Sequence, residues 1–300
     1  MNYMDVKTQN KWMLSAALAS ITTAVLLIML KAVAFFITGS MAMLSSLFDS
    51  IQDFMTSIVN MIAVRHAVMP ADRHHRFGHG KAQGIGSLIQ ACIIIMAALF
   101  LLKESVGYLI LGKKVVEISM AIGVSCIAII ITFGLLMLQT WVVKQTGSLC
   151  IKTDKAHYTG DIFMNIGVVI SLLLSYSLGW MWIDGAFGVA VSLYLLYAMA
   201  HVLQEAFAML MDKELPESIR NKIKAIALSV PKVLNVSDLK TRQAGNRMFI
   251  QFVVQFDGKI SLNSAHERID EIENKLLKLY PESEIMIHAE PFIKQNRSKK

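Results

Sequence analysis

Six stretches of the chain are mostly apolar for about 20 residues or more, the length a helix needs to cross a bilayer core of roughly 30 Å. They run over 13–37, 41–64, 85–110, 116–142, 158–178 and 183–211. The first resembles a signal peptide in having Lys7 and Lys11 ahead of it and Ala16, Ala17 and Ala19 within it, but its apolar part is too long and no cleavage region follows, so it reads as a spanning helix. From Asp212 the periodicity changes. Helix-type spacing over 216–230 is followed by two strand-like runs, 233–243 and 247–256, separated by Ala244-Gly245-Asn246. An amphipathic helix over 261–280 places Leu262, Ile269, Ile272, Leu276 and Leu279 on one face and stops at Pro281, and a last strand covers 284–288. The order αββαβ predicts a small α+β sandwich with its helices on one face of the sheet. About 80 residues make a modest core, which pairing with a second copy would help to stabilise.

Composition agrees with a division into two objects. The 300 residues are 55% hydrophobic and only 17% charged, with mean hydropathy +0.52, whereas a soluble domain carries about 25% charged residues. Residues 1–211 hold 23 of the 51 charged side chains; the last 89 residues hold 28. The predicted organisation is a six-helix membrane domain over 1–211, a soluble domain over 212–292 and a basic tail over 293–300. Cys92, Cys126 and Cys150 are far apart and form no C-x-x-C, so neither a disulfide framework nor a thiolate metal site is expected. The net charge of +7 sits mostly at membrane edges and in the last domain, which argues against nucleic acid, and the basic end at 294–300 is expected to be a solvated tail, with contact to anionic lipid the alternative.

Lysine and arginine cluster in alternate connections: Lys7 and Lys11 before the first run, Arg65, Arg73, Arg76 and Lys81 after the second, and Lys144, Lys152 and Lys155 after the fourth. The positive-inside rule puts these in the cytoplasm, against the opposing vote of Lys113 and Lys114. An even number of spans then leaves both termini and the soluble domain inside, in a cell inner (plasma) membrane.

Ionisable side chains inside hydrocarbon are expensive, on the order of 2.5 to 3.5 kcal/mol on insertion scales, and usually mark function. The second run carries Asp49 and Asp53, and the fifth helix carries His157 and Asp161; both pairs are spaced i,i+4 and so share a helix face. Three carboxylates and an imidazole suit a tetrahedral divalent ion. Without the ion, three negative charges in low dielectric repel and take up protons, which is the chemistry of an exchanger. Lys31 and Glu205 lie toward run ends, where snorkelling to the interface is expected. In the loop after the second run, Asp72, His75 and His79 can gather one carboxylate and two imidazoles around a metal, leaving a position open. Gly78-His79-Gly80-Lys81 lacks the spacing of a phosphate loop. In the soluble domain His266, His288 and Glu290 are metal candidates, with His288 and Glu290 on one strand face.

Together these motifs resemble the cation diffusion facilitator family, in particular its bacterial zinc, cadmium and ferrous-iron efflux members. They are Leu-Phe-Asp49-Ser-Ile-Gln-Asp53, Pro70-Ala-Asp72 with Phe77-Gly-His-Gly-Lys81, His157-Tyr-Thr-Gly-Asp161, Asp238-Leu-Lys-Thr-Arg-Gln243 and Ile287-His-Ala-Glu-Pro291, which span nearly the whole chain. The resemblance implies a transport site of Asp49, Asp53, His157 and Asp161 and a loop site of Asp72, His75 and His79. It also implies a homodimer with ferredoxin-like cytoplasmic domains, locked near the membrane by Lys81 and Asp212. Ser237 and Val253 stand where efflux members often have histidines, and Glu290 replaces an aspartate, so one weakened cytoplasmic site or none is expected.

The sequence thus predicts a six-helix membrane antiporter exporting zinc or ferrous iron, with cadmium a further substrate, against protons. The metal is its substrate and a candidate structural ligand, and no prosthetic group is expected. The rival readings are a membrane-embedded zinc metalloenzyme, for which the H-E-x-x-H frame is missing, and a metal sensor that does not transport.

Overall fold

The computed structural model describes residues 6–38, 41–111, 118–178, 182–281 and 283–292. The basic tail and the connection carrying Lys113 and Lys114 lie outside the described residues. The chain divides into two compact units, 4–207 and 208 onward.

The first unit is a bundle of long helices: α1 (Val6–Thr38), α2 (Met41–Ala67), α3 (Ala82–Leu111), α4 (Ile118–Thr146), α5 (Leu149–Leu178) and α6 (Ile183–Leu210). Four of them, α1, α3, α4 and α6, contain segments long and apolar enough to cross a membrane. The other two, α2 and α5, are as long, at 27 and 30 residues, but carry the polar side chains. Their burial is inverted relative to a soluble helix. On α2, Asp53, Thr56, Ser57 and Asn60, spaced i, i+3, i+4 and i+7, are buried, while Phe48, Ile51, Met55 and Ile62 point outward. Polar groups that would be costly in lipid are turned inward, where they find one another.

α1 packs on α2 and α4, α2 on α3, and α4 on α5. Small residues set these close approaches: Ala16, Ala17 and Ala63 join Met13, Val64, Val142, Cys150 and Ile151 in one cluster. A second cluster ties α3 to α6 through Ala91, Ile94, Ala98, Val191, Leu195 and Met199. At Gly188 an added Cβ would lie 2.1 Å from Ser105 Oγ and 2.9 Å from its Cβ, so a larger residue there would force Ser105 to shift.

α5 begins at Leu149, nine residues ahead of the apolar run at 158, because its first turns face the protein interior through Thr153, Asp154 and His157 rather than lipid. Lys31 is 8% exposed, so it is buried within α1 instead of snorkelling. Glu205 of α6 is held by an ion pair with Lys152 of α5.

The second unit consists of α7 (Glu217–Leu228), β1 (Asn235–Ala244), β2 (Arg247–Phe256), α8 (Leu262–Leu279) and β3 (Ser283–Pro291). The sheet order is β1-β2-β3, antiparallel between the first two strands and parallel between the last two. A parallel pair needs a crossover, and α8 supplies it. α8 is capped by Ser261, whose hydroxyl accepts from the Ser264 N–H. Ile223, Ala227, Ile250, Phe252, Val254, Phe256, Ile272 and Leu276 form the core under the two helices. β1 is interrupted by a bulge between Ser237 and Lys240, with Asp238 at φ 47°.

Candidate metal centre

Two turns of α5 and one of α2 build the buried site. His157 Nε2 lies 3.0 Å from Asp53 Oδ1 and 3.9 Å from Asp161 Oδ2. One ligand atom from each of the three residues falls within 4.8 Å of the others. Donor atoms bound tetrahedrally at 2.0–2.2 Å sit roughly 3.4 Å apart, and the two measured separations bracket that figure. His157 is 5% exposed and Asp53 7%, while Asp161 is half-buried. The same imidazole nitrogen faces both carboxylates, so Nε2 carries the proton when it donates to Asp53 and must shed it to bind a metal.

Asp49 does not join this group. One turn before Asp53 on α2, it is exposed instead of turned into the cluster. Lys31 of α1 is the cation that acts on both Asp49 and Asp161. Two further buried charges lie beyond the residues expected from the sequence: Lys31, which faces inward, and Asp154, which is 1% exposed on α5. The second was legible: Asp154, His157 and Asp161 have the i, i+3, i+7 spacing of one helix stripe.

The loop between α2 and α3 gathers a second group, Asp72, His75 and His79. Asp72 Oδ1 accepts the backbone N–H of His74 at 2.8 Å and of His75 at 2.6 Å, an Asx turn that curls the chain back on itself. The two imidazoles then stand 3.4 Å from its two carboxylate oxygens. Gly78, at φ 79°, lets the chain reverse between the histidines, and its N–H donates to the His75 carbonyl. The N–H bond from His75, joined by that from His74 and the His75 imidazole, holds the Asp72 carboxyl below the usual carboxylate range. His74 offers only its backbone.

In the second unit the candidates are dispersed. His266 pairs with Asp270 one turn along α8 at 3.8 Å, and His288 with Glu290 at 3.8 Å on β3. Among the described residues no group of three forms there. The register explains the gap: Ser237, Val253 and His288 are direct neighbours across the three strands, so a hydroxyl and an isopropyl group occupy the row in which imidazoles would stand beside His288. Asp212 accepts from Arg242 at 3.1 Å, and Lys81 sits in the turn that opens α3.

A family model described as the cation efflux transmembrane domain matches residues 17–211, and one described as the cation efflux protein cytoplasmic domain matches 215–292. The chain belongs to the cation efflux family. This is the cation diffusion facilitator family that the motifs resemble, and the chain is accordingly a membrane protein. A relative described as the cation-efflux pump FieF of Shewanella oneidensis is 39% identical over 280 residues, covering 93% of this chain and 94% of that one. Protein p34 of Rickettsia rickettsii is 38% identical over 290 residues, covering 96% and 95%. A solved chain of CzrB, described as a candidate zinc transporter, aligns at 34% identity over 26% of this chain and 99% of its own, with a TM-score of 0.26.

Proposed function

We propose that the protein exports a divalent transition metal, zinc or ferrous iron, in exchange for protons. The observation that carries this is the convergence of Asp53, His157 and Asp161, one carboxylate from α2 and an imidazole and a carboxylate from α5, in a buried position between membrane-embedded helices. An oxygen and nitrogen donor set favours zinc, cadmium or iron over magnesium or calcium. Asp49 completes the tetrahedron when its side chain turns inward beside Asp53. The proton that Nε2 shares with Asp53 departs as the metal arrives, so binding and proton release are the same event at the same atoms. The loop group at Asp72, His75 and His79 is a second metal-binding point that gathers ions before transport.

In this reading all six long helices span the inner membrane, with α2 and α5 shielding their polar faces inside the bundle. Both termini and the second unit are cytoplasmic, the latter with a ferredoxin-like arrangement and paired with a second copy. Lys81 and Asp212 serve the charge lock of that dimer. Domains divide at 211 and 292. Rocking of the bundle exposes the site alternately to each side.

The test is zinc uptake into proteoliposomes under an imposed pH gradient. Wild-type protein moves zinc one way and protons the other, and Asp161→Ala abolishes both. Undiminished flux in Asp161→Ala, or zinc movement that ignores the pH gradient, defeats the proposal. Peptide cleavage without flux would make the site an enzyme's.

A further inference from the structure

Three residues before His157 on α5 lies Asp154, a carboxylate that the metal centre does not use. Its Oδ2 accepts from the Ser20 hydroxyl of α1 at 2.5 Å and from the Gln139 amide of α4 at 2.8 Å. The Asn60 side chain of α2 faces the same carboxylate. Four helices therefore converge on one buried acid, and none of the groups bonded to it is a cation. None of its hydrogen-bond partners belongs to the metal cluster.

The hydrogen-bond inventory of this cluster does not balance. Asp154, Asn60, Gln139 and Ser20 are each at most 1% exposed. Asp154 Oδ1, Asn60 Oδ1 and Gln139 Oε1 have no donor, and Asn60 Nδ2 has no acceptor. Three acceptor atoms thus stand against the two N–H groups of the Asn60 amide. A single proton at Asp154 Oδ1 removes the surplus acceptor and supplies an O–H donor beside the Asn60 and Gln139 carbonyl oxygens. Ionisable groups enclosed between membrane helices mark ion pathways and proton relays.

We propose that Asp154, with Ser20, Asn60 and Gln139 around it, is a seat for the counter-transported proton that is separate from the metal centre. This rests on the metal and proton exchange proposed above and assigns part of its proton traffic to a site one helical turn away. Water on the side open to the bundle gives a proton to the carboxylate, the O–H bond forms at Oδ1, and the group passes from charge minus one to zero. The reverse step returns the proton to water on the other side. The charged and titratable groups facing Asp154 are Asp53 from α2, and Cys150, His157 and Tyr158 from its own helix. α1 and α4 present the neutral Ser20 and Gln139. A metal ion bound at Asp53 and His157 adds positive charge about one turn away and drives the proton off.

The experiment uses the full-length protein and zinc as the probe. In infrared difference spectra of wild type, zinc addition removes a protonated carboxylic band, and that band is absent in Asp154→Asn. In proteoliposomes Asp154→Asn binds zinc within about threefold of wild type but moves fewer protons per zinc ion and loses most of the pH dependence of uptake. Gln139→Leu, which keeps the acid and alters its partners, shifts the band and the pH at which it disappears. Wild-type proton-to-zinc stoichiometry in Asp154→Asn, or a band that survives that substitution, overturns the proposal and leaves a water-filled polar cluster. Loss of zinc binding in folded Asp154→Asn also overturns it, by making Asp154 part of the metal centre. Uptake driven by a sodium gradient that Asp154→Asn eliminates assigns the seat to sodium and overturns the proton. Asp161→Ala separates the two levels: flux that survives in it defeats the exchange reading itself, while its loss beside an unchanged Asp154→Asn defeats only this inference.

Discussion

Gly86 of α3 sits at a close approach of α2, α3 and α5, and its replacement by alanine gives a quantitative test of the packing. The added Cβ would lie 2.1 Å from the Ala63 methyl and 3.2 Å from Cys150 Sγ. Carbon atoms in contact normally sit about 3.5–4.0 Å apart, so the shortfall is roughly 1.5 Å or more. A methyl group cannot rotate away. Ala63 is 7% exposed and belongs to a packed cluster, so the helices themselves must part. Overpacking of this kind costs about 1–3 kcal/mol. Alanine is the better helix former by up to about 1 kcal/mol, which offsets part of the loss.

The decisive measurement is the double-mutant cycle with Ala63→Gly. That single change costs about 1 kcal/mol in helix propensity and removes a packed methyl. Combined with Gly86→Ala it merely exchanges which helix carries the methyl, so the pair should be less destabilising than the sum of the singles by about 1–3 kcal/mol. For a unit of about 200 residues each kcal/mol moves Tm by roughly 2–4 °C, so thermal unfolding in detergent resolves the coupling. Additive shifts, or a Gly86→Ala protein more stable than wild type, would refute the close approach. Because α2 carries Asp53 ten residues, about 15 Å, from Ala63, the single variant should also weaken zinc binding and the double recover it.

Four further outcomes follow from the same geometry. Tyr158→Phe removes the hydroxyl that meets Ser57 Oγ at 3.1 Å and donates to the Ser20 carbonyl at 3.2 Å; it should cost about 0.6–1.7 kcal/mol, read as a lowered Tm with zinc affinity retained. Asp72→Asn keeps the oxygen that caps the His74 and His75 amides while removing the charge, so zinc binding at the loop should fall in both Asn and Ala variants but protection of those amides from hydrogen exchange only in Ala. The Asp72 carboxyl is lowered in the folded loop, so its contribution to loop order is complete above the unfolded value of about 3.9 and is lost as pH falls through the folded value; amide protection that fades between pH 8 and 5 would contradict the sign. Ser237→His with Val253→His extends the row ending at His288 and should add a zinc-binding equivalent to the full-length protein in calorimetric titration.

Much of the fold was legible because two periodicities and one composition boundary dictate it. Apolar runs of membrane length mark where helices lie, and the switch to period-2 alternation near 235–256 marks the sheet. The depth needed for Asp161 also places the start of α5 ahead of its apolar run, near Lys152, and the helix begins three residues earlier still, at Leu149. Apolarity locates only lipid-facing segments, and the first turns of α5 face protein. The same inversion hides Lys31: hydropathy treats a lysine in an apolar run as something to be pushed to the surface, whereas carboxylates across the bundle give it a reason to stay inside. The strand carrying His288 extends to Pro291, beyond the apolar run at 284–288, because parallel pairing with β2 continues past it.

The site itself was readable to the extent that its donors are rare. Aspartate and histidine in a membrane helix stand out individually, and i,i+4 spacing puts them on one face, but spacing within a helix says nothing about which face meets which. Asp49 and Asp53 are equivalent by that rule, yet only Asp53 reaches His157. The neutral polar residues were illegible for a different reason. Ser20, Asn60 and Gln139 are common enough in apolar runs to pass as hydrogen-bonding within their own helices, and they acquire meaning only when three helices bring them to one carboxylate. Partner choice across helices is a property of packing, set by alanines and glycines such as Ala63 and Gly86 whose own chemistry is silent. In this chain the conspicuous residues name the chemistry and the inconspicuous ones decide its geometry, so substitutions at small residues far from any donor should alter metal and proton binding as surely as substitutions of the donors.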